Sequence, residues 1–251
     1  VNLPLTLLTL ELAMPCTLCR APQQLKNSHI IPEFLYEPLY DEIHRFHVLS
    51  IIPGQDNSLK QKGIREPLLC ETCEQRFSVW ERYVSLVLKG GIEITYRREG
   101  NLVYASGLDY VKFRLFQLSI LWRASVSSHQ FFENICLGRH QETLRRLLLP
   151  EDPGISSRYG CLMFGLKFEN KAFTQFIMQP GRLKLSGHTA YRFVFGGLMW
   201  VFLVSSHGVL PPLSNAVLQQ SGEALLIIKD IREMQNLVRF SEELVRLGRS
   251  Q

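Results

Sequence analysis

No stretch of this sequence is long and apolar enough to span a bilayer. The longest uninterrupted apolar run, Phe193–Val204, has twelve residues and contains the pair Gly196-Gly197, against the roughly 20 that a spanning helix needs. It reads as core strand. The first thirteen residues, VNLPLTLLTLELA, are apolar but carry no basic n-region, so they make a poor signal peptide. Either the informative chain starts at Met14, or this stretch docks on the core as a strand or helix. Cysteine is scarce, six in 251 residues, which excludes a dense disulfide scaffold of the secreted kind. Also missing are a phosphate-binding lysine loop, a dinucleotide-binding glycine pattern and a Gly-x-Ser-x-Gly elbow. There is no internal repeat and no low-complexity tract. Neither sign of charge dominates: 28 basic residues against 23 acidic give a net +5, an excess that permits polyanion binding without requiring it. With 46% apolar and 20% charged residues, the expectation is an ordinary globular protein, soluble and cytoplasmic, with no membrane partner.

What is present is uneven. Residues 14–100 hold eleven Lys/Arg and eleven Asp/Glu, whereas residues 101–251 hold seventeen and eleven. Any attraction for a polyanion should therefore lean on the C-terminal part. Four of the six cysteines form two Cys-x-x-Cys pairs, Cys16/Cys19 and Cys70/Cys73, with fifty residues between them. Each pair presents two thiolates from one turn, and two such turns complete a tetrahedral all-sulfur site of the structural zinc type. An iron–sulfur centre or a redox dithiol is the alternative. Leu69 before Cys70 and a helix after Cys73 suit a treble-clef arrangement, with an insertion carried between the knuckles. Cys136 and Cys161 stand alone and are expected to be buried as small hydrophobes.

The periodicities predict an α+β fold. A short helix or turn is expected at Glu33–Tyr40, a strand at Phe46–Ile52, and a loop at Pro53–Gly63. Helix is expected from Glu74 to Leu88, on an apolar stripe of Phe77, Trp80, Val84 and Leu88. Ile92–Arg97 reads as a strand, Tyr110–Ser125 as a core helix, and Gln130–Cys136 and His140–Leu149 as two further helices. Arg123, beside the apolar Leu118–Trp122 run, is expected to cap a helix end or pair with an acid. Beyond residue 155 strands are expected at Cys161–Phe168, Ala172–Met178, Arg182–Leu185, Tyr191–Phe195 and Leu198–Val204, with a hairpin turn at Ser186-Gly187-His188. A helix over Ile231–Leu247 closes the chain. The expected division is a zinc-binding domain at 14–90 and an α+β domain at 91–251, helical first and then mainly β.

The order Cys-x-x-Cys, then His29-Ile30-Ile31-Pro32, then Leu69-Cys-x-x-Cys with a following helix resembles the HNH endonucleases over residues 14–85. The resemblance implies a ββα-metal core stapled by zinc, with His29 as the general base that activates water against a DNA phosphodiester. A neutral imidazole near pH 7 can take that proton. A divalent ion beside it would stabilise charge on the phosphate. Four cysteines leave zinc no open position, so that ion, Mg²⁺ or Mn²⁺, needs separate hard ligands.

Here the sequence departs from the family. Where a ligand usually precedes the histidine stands Ser28, and where a middle Asn is usual stands Arg65. The helix offers Glu74 and Glu81, seven residues apart and so on one side. They are carboxylates for Mg²⁺ or Mn²⁺, or solvated helix charges, or partners of Arg76 and Arg82. His29 itself acts as base, or braces the zinc knuckle by hydrogen bonding, or is a plain surface or core histidine. His44 and His47 reach the site only if the insertion folds back. Lys60, Lys62, Arg65 and Arg76 are the expected contacts to phosphates, or else a solvated face. Arg145-Arg146 reads more readily as solvated surface. The function that the resemblance implies is metal-dependent hydrolysis of DNA, with restriction or phage defence as one setting for it. The alternative is a non-catalytic zinc module that binds nucleic acid or protein. DNA is the expected partner, and a homo-oligomer stays open.

Overall fold

The computed structural model describes residues 14–48 and 58–234. Among these residues two thin sheets and one broad sheet are joined through three helices. Strand β1 (Leu25–His29) pairs antiparallel with β4 (Arg65–Cys70), and β2 (Phe46–Val48) pairs with β3 (Ser58–Lys60). The β1–β4 register slips between Lys26 and Asn27, where Asn27 faces Pro67; proline has no N–H to give the ladder. Helix α1 (Glu71–Leu88) leaves β4 without a break. Its buried stripe is Cys73, Phe77, Trp80, Val84 and Val87. Leu88, expected on that stripe, lies 41% exposed, because the stripe drifts to Val87 over the last turn.

Strands β5 (Thr95–Glu99) and β6 (Leu102–Ser106) form a hairpin, and helix α2 (Tyr110–Val126) follows, N-capped by Asp109, whose carboxylate accepts from Lys112 N–H at 3.0 Å. Buried residues cover nearly the whole of α2. It touches the cysteine-bearing region through Trp122 against Phe77 (6.2 Å between ring centres) and the broad sheet through Phe113 against Trp200 (6.3 Å). Helix α3 (Arg139–Leu148) packs on α2. The helix expected over Gln130–Cys136 is only a 3-10 turn at Gln130–Phe132. Cys136, expected inside, is exposed, while Cys161 is buried.

The broad sheet adds β7 (Cys161–Phe168), the short β8 (Lys171–Ala172) paired to it, β9 (Met178–Leu185), β10 (His188–Phe195), β11 (Leu198–Val204) and β12 (Ala224–Asp230). Its order is β5-β6-β12-β7-β11-β10-β9. The strand expected over Ala172–Met178 is absent; Phe173 and Phe176 instead pack together, 5.8 Å between ring centres. Alternation splits the sheet between two cores. Tyr191, Phe193, Phe195, Trp200, Phe202 and Val204 face the helices, and Ala190, Val194, Met199, Val201 and Leu203 fill the other side. One core is continuous from Cys16 to Ala224. Strand β12 enters between β6 and β7, antiparallel to the first and parallel to the second. Gly222 sets up that entry: its φ is +80°, and a Cβ there would lie 2.2 Å from Leu108 O.

The expected strand at Phe46–Ile52 is seen at Phe46–Val48, with residues 49–52 outside the described residues; Ser58–Lys60, expected as loop, is its partner strand. Of the expected helix Ile231–Leu247, Ile231–Glu233 is a 3-10 turn and residues 235–247 lie outside the described residues. Among the described residues no helix is long and apolar enough to cross a membrane.

Candidate metal centre

The first knuckle is a tight turn. Cys16 N–H donates to Ala21 O at 3.0 Å, Arg20 N–H donates to Cys16 O at 2.7 Å, and Arg20 takes φ +65°. The turn is tied to β4 by Thr17 N–H to Leu68 O at 3.1 Å. The second pair sits where β4 becomes α1, and Cys70 N–H donates to Cys16 Sγ at 3.3 Å. The four sulfurs lie within 4.8 Å of one another, with Cys19 and Cys70 Sγ 3.8 Å apart. Four ligands at ~2.3 Å from a tetrahedral ion stand about 3.8 Å from each other, so the donor set fits a four-cysteine zinc site. Cys16, Cys70 and Cys73 are buried and Cys19 is partly so. Burial pushes the Cys16 thiol up, but backbone hydrogen bonds around Cys19 and Cys70 outweigh it and bring it to about 7. Burial, with the neighbouring sulfurs, pushes Cys73 up. A cation at the centre relieves that crowding by holding all four as thiolates.

Helix α3 braces the knuckle from outside. Arg145 Nη1 donates to Leu18 O at 2.6 Å, and Glu142 collects Arg20 (2.6 Å), Arg145 (2.9 Å) and Arg146 (3.0 Å). Arg145 is thus drawn in against the knuckle, whereas Arg146 stays on the solvated surface, as expected, and pairs with Glu142 there. The hydrogen bonds from those two arginines hold the Glu142 carboxyl down to about 2.

His29 ends β1, opposite Arg65 on β4. Its Nε2 stands 2.6 Å from Glu33 Oε2, and neither atom has a hydrogen bond elsewhere among the described residues. Glu33 also accepts from the Tyr40 hydroxyl, and His44 Nε2 lies 3.9 Å from it. His44, with φ +61°, stacks on Tyr40 at 3.8 Å. The described part of the insertion thus brings His44 to the carboxylate that faces His29, while His47 lies exposed on β2. Burial lowers the His29 imidazole below its ordinary value, Arg65 and Arg123 push the same way, and Glu33 opposes them.

The two helix carboxylates are engaged elsewhere. Glu74 accepts from Ser28 Oγ at 2.6 Å. Glu81 Oε1 stands 2.7 Å from Arg123 Nη1, whose guanidinium also donates to His29 O at 2.7 Å and is 1% exposed. Arg123 thus pairs with an acid, as expected, and ties α2 to α1 and β1 at once. Burial pushes the Glu81 carboxyl up against the pull of Arg123. Arg76 donates to Leu149 O and lies 3.2 Å from Glu151, binding α1 to the end of α3. Lys60, Lys62 and Arg65 form no ion pair among the described residues; both lysines are exposed and Arg65 is partly so. Glu33, Tyr40 and the bridging role of Arg123 are what sequence reading misses. Glu33, four residues after His29, is the one local signal for them.

In comparisons with protein-family models, curated proteins and solved structures, nothing matches the chain.

Proposed function

We propose that residues 14–88 act as a zinc-stapled module that binds nucleic acid through its phosphates, without a divalent hydrolytic centre at Glu74 and Glu81. The observation that carries this reading is the division of labour among its charges. Glu74, Glu81 and Arg76 are engaged with protein partners, whereas Lys60, Lys62 and Arg65, next to the β1–β4 pair, have no acidic partner among the described residues. Bound zinc supplies a fixed link between the two knuckles. Cationic side chains at the β3–β4 turn then neutralise phosphates and release counterions. The test is binding of duplex DNA by the zinc-loaded chain as salt is varied. Lys60→Gln, Lys62→Gln and Arg65→Gln should each reduce the salt slope by about 1. An unchanged slope in the triple variant would sink the reading.

A second reading keeps hydrolysis. The order β1, β4, α1, with His29 at the strand end and Glu33 against its imidazole, supports an HNH-like ββα-metal arrangement in which a neutral His29 is base and a Mg²⁺ or Mn²⁺ ion is held by groups other than Glu81. Plasmid cleavage in Mg²⁺, Mn²⁺ or EDTA, with His29→Ala beside wild type, decides it. Divalent-dependent nicking that His29→Ala abolishes favours hydrolysis, and no nicking by the folded, zinc-loaded chain favours the binding module.

A further inference from the structure

A second charged site lies away from the cysteines, where α3 begins. A cavity of about 200 Å³ is lined by Arg139, His140 and Thr143 from the first turns of α3, by Arg158 and Tyr159 from the segment before β7, and by the serines 205 and 206 after β11. No carboxylate lines it. Arg139 donates to Ser206 Oγ at 2.6 Å, and His140 Nδ1 shares a proton with the Tyr159 hydroxyl at 2.9 Å. The Arg158 side chain has no hydrogen-bond or ionic partner among the described residues. Two arginines and no carboxylate among the lining residues leave the cavity with positive charge that an incoming anion would meet unopposed.

The backbone that carries this site is held in an unusual shape. Tyr159, a buried non-glycine residue, takes φ +54°. Strain of that kind persists only where the surroundings enforce it. They do so here through Arg114 of α2, which is 2% exposed and donates to the carbonyls of Arg158 and Tyr159, the latter at 2.7 Å. A buried cation is thus used to aim a pair of peptides so that Arg158 and the Tyr159 hydroxyl line one cavity.

We infer that this cavity binds a phosphoryl group, with Arg139 and Arg158 as its charged ligands and the hydroxyls of Thr143, Tyr159, Ser205 and Ser206 available to the remaining oxygens. The chemistry matches. Guanidinium forks pair with phosphate oxygens bidentately, and the start of a helix adds favourable potential for an anion. The volume is below the ~300–1,000 Å³ of pockets for whole organic ligands, so it takes either free phosphate or the phosphorylated end of a larger molecule that stays outside. The inference does not rest on the reading of the zinc module, since it shares no residue with it.

The test is calorimetric titration of the full, zinc-loaded chain with inorganic phosphate, with a 5′-phosphorylated dinucleotide and with its 5′-hydroxyl counterpart. Arg158→Gln and Arg139→Gln are compared with wild type and with Lys171→Gln, an exposed cation on β8 that neither site uses. Both arginines are exposed at the surface, so the variants should melt as wild type does. The expected result is saturable binding of at least one phosphorylated probe that falls about tenfold in each arginine variant, stays in Lys171→Gln and is missing for the 5′-hydroxyl probe. Binding of inorganic phosphate alone assigns the site to the free ion; binding of the dinucleotide alone assigns it to a phosphorylated chain end. Failure of wild type to bind either phosphorylated probe, or equal binding by wild type and folded Arg158→Gln and Arg139→Gln, overturns the inference.

Discussion

The cysteine-bearing region and the broad sheet hold themselves together by different means. Residues 14–70 contain two two-stranded sheets, which alone are marginal in water, and their long insertion is closed by four sulfurs within 4.8 Å of one another. Among the described residues the sheet of β5–β12 has no such staple. It relies on aromatic burial on one face, Phe193, Phe195, Trp200 and Phe202, and on aliphatic burial on the other. The region with the thinner sheets keeps its polar groups in specific pairs, Ser28 with Glu74 and Arg123 with Glu81. In the broad sheet, packing and the strand ladders define most of the arrangement, with Arg114 holding the carbonyls of Arg158 and Tyr159 at the entry to β7. Where apolar burial is short, metal ligands and ion pairs fix one arrangement out of several.

The sharpest way to break that contrast is to remove the staple. Cys73→Ser, or a strong chelator, should unfold the β1–β4 pair and the first knuckle, since a structural zinc supplies on the order of 10 kcal/mol of apparent folding free energy. Hydrogen exchange should show β1 and β4 losing protection while β10 and β11 keep theirs; simultaneous loss in both regions would mean that the shared core couples them more tightly than their chemistry differs. The converse variant, Trp200→Ala, removes an indole that packs on Phe113, Phe116 and Phe195 and should cost about 3–5 kcal/mol, with one zinc still bound by elemental analysis. Next comes Arg123→Met, which strands the largely buried Glu81. It should cost about 3 kcal/mol in denaturant unfolding, and Glu81→Gln in the same chain should restore most of it, because the uncompensated charge is then gone. A failure of that rescue would show the guanidinium working mainly through the His29 carbonyl.

The smallest effect is a titration. The His29 imidazole titrates below its ordinary 6.5 in the folded chain, so the unfolded chain binds its proton more readily. Its contribution to stability is present above 6.5 and is lost as pH falls through the lower, folded value. Proton NMR of the imidazole should place the midpoint below 6.5, and Glu33→Gln should lower it further by removing the one neighbour that favours the charged ring. A midpoint unmoved by Glu33→Gln would mean that the 2.6 Å contact does not hold in solution.

What is legible in the sequence follows the same divide. The cysteine site is readable because each Cys-x-x-Cys is local and its chemistry leaves few alternatives. Strands β7 and β11 match expectation to the residue because their apolar runs are bounded by turn residues, and the alternation in β10 and β11 assigns faces that the two cores reproduce. Strands β1 (LKNSH) and β4 (REPLLC) give no such signal. Neither alternates, and what makes them strands is each other, across a long insertion. Strand β12 (ALLIIKD) is hidden for a related reason: its partners are 102–106 and 161–168, and no local pattern announces a parallel neighbour. Within the candidate site, the positions of Glu74 and Glu81 on one helix are foreseeable, but their partners are not. Ser28 and Arg123 reach them only because β1 and α2 pack on α1, and distance in the chain hides such pairs.

The placement of β12 between β6 and β7 has a consequence in time. During synthesis the two knuckles can meet soon after Cys73 emerges, but the β5–β6 hairpin must wait for residues 224–230 before its inner edge is covered. At roughly 5–20 residues per second, some 120 residues of delay leave that edge open for about 6–24 s. The hairpin's outer strand β5 is exposed along its whole length and carries Arg97, Arg98 and Glu99, charges that guard the outer edge, but the waiting strand β6, LVYAS, carries none. A ribosome-bound chain stopped before Gly222 should accordingly be the species most prone to self-association during its making.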